Sequence, residues 1–148
     1  MRRLTRLALL ASALLLAVPA LAQKAPAPAP ICDAVPPPFT SGDLQDIFET
    51  YNREYWDGKL PATVVVWTGL KDRYGETNVL PDGRFVIRLD VLRNREANVA
   101  RTTILHEMCH VKTWGDSCHV KGAKVQDCSR WLAELHRIML EGAFDDLV

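Results

Sequence analysis

The chain has 148 residues, 48% of them hydrophobic, and its 18 basic residues balance 18 acidic ones. A chain of that length builds one modest core and leaves no room for a second sizeable domain. It has no basic run and no interleaving of aromatic with basic residues, which excludes a protein that works by neutralising a phosphate backbone.

At the start, Arg2, Arg3 and Arg6 precede an apolar run from Leu7 to Val18, and Ala20-Leu21-Ala22 places small residues where a signal peptidase reads. The pattern predicts a signal peptide over residues 1–22, cleaved after Ala22, and hence a periplasmic or secreted protein. The apolar run is too short to span a bilayer and no stop-transfer pattern follows, so no membrane association is expected after cleavage. Cleavage removes three of the 18 basic residues and no acid, leaving a net charge of about −3. Residues 23–40 are rich in proline and alanine, a composition that favours extended polyproline and builds no core, so they are read as a linker.

From residue 41 to 148 the pattern is that of a folded domain. Ser41 is the predicted N-cap of a first helix whose apolar positions, Leu44, Ile47, Phe48, Tyr51 and Tyr55, recur at helical spacing. Gly58 and Pro61 end it. Residues 62–67 form a short run of β-branched and aromatic residues, read as a strand buried on both faces. Residues 78–80 are a second short strand, Pro81-Asp82-Gly83 a turn, and residues 84–89 a third strand with its arginines on an exposed face. Because that third strand directly precedes the next helix, it is the candidate for an open sheet edge. The loop over residues 68–77 is the element that would otherwise cover it. A helix over residues 96–114 and a last helix over residues 127–141 follow, closed by Gly115 and Gly142. Trp131, Leu132, Leu135, Ile138 and Met139 form the apolar face of the last helix.

The chemistry concentrates in His106-Glu107-Met108-Cys109-His110. On a helix the two histidines lie about 40° apart in azimuth and one turn apart along the axis, so both imidazoles reach one metal ion. Glu107 points to one side, able to take a proton from a water that the metal activates without being a ligand itself. Met108 points away from the metal and continues a buried stripe with Ile104 and Val111. The bland reading is a chance spacing on a surface helix, which so short a motif allows. Four cysteines, Cys32, Cys109, Cys118 and Cys128, form an even set in an exported chain, so two disulfides are expected. The favoured pairs are Cys118 with Cys128 and Cys32 with Cys109, the rival being zinc ligation by Cys109 or Cys118.

Three strings carry a resemblance to a known family: Phe48-Glu49-Thr50-Tyr51-Asn52 with Asp57-Gly58-Lys59-Leu60-Pro61, then Arg73-Tyr74-Gly75, then Leu105-His106-Glu107-Met108-Cys109-His110-Val111. Together they resemble the SprT-like zinc metallopeptidases over most of residues 43–138. The resemblance implies a small α+β, zincin-like domain made of an N-terminal helix, a small twisted sheet, the active helix and a C-terminal helix. It implies Zn2+ as cofactor and a protein or peptide as substrate. It also implies that the third zinc ligand is a histidine shortly before the final helix, and His119 fits, followed by Val120 where the family pattern has glycine. From the residues alone, a hydrolytic zinc needs three protein ligands and an open position. Glu134 on the last helix is then the rival third ligand, with His136 and Asp116 as lesser candidates. Tyr74 is read as a packing residue, with stabilisation of an oxyanion as its alternative role. The expected mechanism is peptide hydrolysis with His106, His110 and His119 on zinc and Glu107 as general base. The alternatives are a zinc-stabilised binding or assembly module without chemistry, and an exported hydrolase of cell-wall peptides.

Overall fold

The structure, a computed structural model, describes residues 36–116 and 128–147. The predicted signal peptide, residues 23–35 of the linker, Cys32, Cys118 and His119 lie outside the described residues. No described helix is long and apolar enough to cross a membrane.

The first helix, α1, runs Ser41–Trp56. Its N-cap is Thr40 rather than Ser41: the Thr40 hydroxyl accepts from the Asp43 amide and the Asp43 carboxylate accepts from the Thr40 amide. This reciprocal pair holds two amides that a helix start leaves without partners. Asp57 and Gly58 then turn left-handed, and the buried Asn52 carboxamide accepts from the Leu60 amide at 3.1 Å, so the string from Asn52 to Pro61 is one capped turn.

Strand β1 spans Thr63–Thr68, β2 Gly75–Val79 and β3 Phe85–Asp90. Their order in the sheet is β1-β3-β2, with β1 parallel and β2 antiparallel to β3. The turn at residues 80–84 closes the hairpin through Gly83, whose left-handed backbone suits glycine. This arrangement corrects the expectation that β3 is an edge. It is the central strand, hydrogen-bonded on both sides, and Arg88 is its only half-exposed residue, paired with Glu76 of β2 at 3.2 Å. The segment read as a covering loop is in part β2, which begins at Gly75 rather than residue 78. β1 is half-buried on alternating faces, not buried on both, because it takes an edge position. Its outer side is blunted by Gln45 of α1, whose carboxamide donates to the Thr63 carbonyl and accepts from the Val65 amide, both at 3.1 Å.

Helix α2 spans Ala97–Lys112 and α3 Ser129–Leu140, followed by a 3-10 turn over Asp145–Leu147. The core joins α1 (Leu44, Phe48), the sheet (Val65, Ile87) and the buried stripe of α2, where Ile104, Met108 and Val111 are enclosed as their spacing predicts. On α3 only Ile138 is fully buried, while Leu132 and Met139, assigned to its apolar face, are exposed. The architecture is a small α+β domain of the zincin-like type implied by the resemblance.

A polar pin links sheet to helix. Asn94, fully buried, donates to the Tyr74 and Asp90 carbonyls at 2.8 Å and accepts from the Thr103 hydroxyl at 2.7 Å. Buried polar groups stay only when paired, and this set fixes the residue just before β2 against α2.

A second network joins α1 to α3. The Trp56 indole donates to Glu134 at 2.6 Å, and Arg137 binds both Glu134 and the Tyr55 carbonyl. Burial raises the Glu134 carboxyl, but the hydrogen bonds from Arg137 and Trp56 outweigh it and hold its pKa below the ordinary 4.5. A carboxylate depressed on folding contributes stability above its unfolded pKa and loses it as pH falls through the folded value. Urea midpoints measured between about pH 6 and about pH 3 should therefore fall more steeply for the native chain than for Glu134→Gln. Parallel curves would show that the network carries no such linkage.

Candidate metal centre

Helix α2 carries the centre on the face opposite its buried stripe, so the residues that anchor the helix also aim its histidines. The His106 and His110 rings are half-buried with centroids 5.0 Å apart. Burial lowers the pKa of His106, which favours the neutral imidazole that binds metal. From α3, Trp131 meets His106 edge-on at 4.7 Å and stacks on His110 at 5.1 Å with 20° between planes. One indole thus contacts both imidazoles and limits their rotation.

Glu107 is only 5% exposed. Its Oε2 accepts from the Thr77 hydroxyl at 2.7 Å, and the same hydroxyl lies 3.2 Å from the Glu107 carbonyl. Burial pushes the carboxyl up to about 7, against opposing pulls from the Thr77 hydrogen bond and the Arg73 charge. Thr77 is therefore the residue that orients this carboxyl from the sheet.

Gly75 sets how close β2 comes to α2. A Cβ there would stand 2.7 Å from the Thr103 methyl and 2.8 Å from Glu107 Oε1. Gly75→Ala should displace β2 or the Glu107 side chain and cost about 1–3 kcal/mol. A urea midpoint equal to the native value would show that the contact yields freely.

Two imidazoles one helical turn apart beside a buried carboxyl are a donor set that suits zinc. Among the described residues no third His, Cys, Asp or Glu completes a metal-binding group. Glu134 is taken up by Trp56 and Arg137, Asp116 pairs with Arg130 at 2.6 Å, and His136 is exposed on the outer side of α3. None of these three rivals joins the histidine pair, and His119 lies outside the described residues.

Cys109 is a free, buried thiol, and burial pushes its pKa up to about 12. This overturns the pairing of Cys32 with Cys109, because the helix face that would carry the bridge is turned into the core. Cys128 is disulfide-bonded. Tyr74, read as a packing residue, is instead 52% exposed, with the Arg93 guanidinium 5.9 Å from its ring centre.

Sequence reasoning missed Thr77, Gly75 and Trp131 as parts of the centre. Trp131 was visible only as one apolar residue of an amphipathic helix, and Thr77 carried no local signal. Neither a curated protein nor a solved structure matches the chain. The profile of the SprT-like family matches residues 44–138, which span both motif-bearing helices and the whole sheet between them, and the chain belongs to that family.

Proposed function

We propose that the chain is an exported zinc-dependent peptidase that cleaves extended or unfolded protein segments in the periplasm or outside the cell. The observation that carries this reading is a buried Glu107, held by Thr77, beside the His106 and His110 pair and next to a sheet edge that no described strand covers. A zinc kept only for structure needs no buried carboxyl at this position.

His106, His110 and His119 would hold the metal. When bound, zinc supplies Lewis acidity toward water and the scissile carbonyl. With Oε2 engaged by Thr77, Glu107 offers Oε1 to take the proton from the attacking water and then to pass it to the leaving amine. Trp131 keeps the two imidazoles oriented, and Gly75 lets the β2 backbone come alongside.

Substrate main chain has a place to bind. The Tyr74 carbonyl accepts from Asp90 and the Leu80 amide donates to Arg84, so by antiparallel alternation the even-numbered residues of β2 bond to β3. Gly75, Thr77 and Val79 then present their amides and carbonyls outward. An extended peptide adding to that edge gains main-chain hydrogen bonds that read little sequence, which favours unfolded substrates.

Purified mature chain should contain one zinc, and it should cleave a protein when unfolded but not when folded, losing activity to a chelator and regaining it with zinc. A chain without zinc, or cleavage indifferent to chelation, would end this reading.

A further inference from the structure

Glu107 and His106 stand on the wall between two cavities of different character. On one side a groove of about 410 Å3 runs past Thr77, Glu76, Asp72 and His110, and its walls are mainly polar. On the other side is a cavity of about 610 Å3, within the size range of sites that enclose ligand groups. Its floor is the α2 face one and two turns before His106, where Val99, Thr102 and Thr103 recur at helical spacing. Tyr74 and Leu147 form its sides. Small β-branched residues on the floor leave the space open, and the walls are largely apolar. Arg73, at the cavity's edge, is 3.6 Å from Glu76 and so already has an acidic partner.

We propose that this cavity is a side-chain subsite that selects a large apolar residue on one side of the scissile bond, a preference that rests on the peptidase reading above. A peptide crossing the centre meets Glu107 with the polar groove on one flank and this cavity on the other. Apolar selection therefore acts on a single side of the cut. Leucine, methionine and phenylalanine remove water from the Tyr74, Val99 and Leu147 surfaces, whereas alanine and glycine leave the cavity wet. Acidic residues find Arg73 engaged and stand beside the carboxyl of Glu107.

The test is cleavage of a peptide library, with every cut site sequenced, by the zinc-loaded native chain and by two variants. The native chain should favour leucine, methionine or phenylalanine over alanine at one position next to the cut, by roughly 10- to 100-fold in kcat/KM. Thr102→Trp, at an exposed position lining the cavity, fills part of it and should abolish that preference while alanine-bearing peptides are still cut. Val99→Phe, which fills the floor, should act the same way and guards against one variant folding poorly. Cleavage with equal use of alanine and leucine, or equal preferences on both sides, overturns the subsite while leaving the peptidase reading intact. No cleavage of any peptide by the zinc-loaded native chain overturns both.

Discussion

Glu107→Gln should keep its fold and its zinc and lose hydrolysis by about a thousand-fold or more in kcat, within the range that a positioned general base contributes. Glutamine has nearly the same shape, and its carbonyl oxygen can still accept the Thr77 hydroxyl, so the contact between β2 and α2 survives. What disappears is the capacity to take a proton. Circular dichroism and elemental analysis should match the native chain while the cleavage assay falls to background. Native-level cleavage by Glu107→Gln would remove Glu107 from the mechanism. Its companion, Thr77→Val, leaves the carboxyl in place without its orienting bond, and should therefore retain part of the activity.

The second large effect concerns the ligand set. His106→Ala, His110→Ala and His119→Ala should each weaken zinc binding by at least about a hundred-fold in chelator competition, since losses even among groups behind the ligands reach that size. Glu134→Gln should bind zinc as the native chain does, because its carboxylate belongs to the Trp56 and Arg137 network. Its cost appears instead in stability, where weakening a partly buried charge network loosens the packing of α1 against α3. The pairing of outcomes decides between the two candidates for third ligand. Strong zinc loss in Glu134→Gln, with none in His119→Ala, would exchange their roles.

Much of the helical content is legible from local rules. Leu44 to Tyr55 and Ile104 to Val111 repeat at helical spacing, and both stripes face the core. The same spacing sets His106 and His110 on one face of α2, so the two-histidine half of the centre follows from a helix alone. Glycines and prolines mark the ends of elements to within a few residues, though the choice between Thr40 and Ser41 as N-cap turned on which hydroxyl reaches the Asp43 amide.

Sheet order has no such local signal. Residues 84–89 look like a one-sided strand because Arg84 and Arg88 recur near its ends, yet β3 is central: Arg84 lies in the turn with Asp82 and Arg88 is paired across to Glu76. Strand neighbours are chosen by contacts far apart in the chain, and periodicity does not encode them. Thr77 and Gly75 become parts of the centre only because β2 packs on α2. Trp131 joins it only because α3 crosses the histidines, and Glu134 is taken up by Arg137 and Trp56 instead. A repeat read along one helix specifies which residues share a face. Which other element that face meets depends on burying both surfaces at once, and this is settled only when the whole core closes.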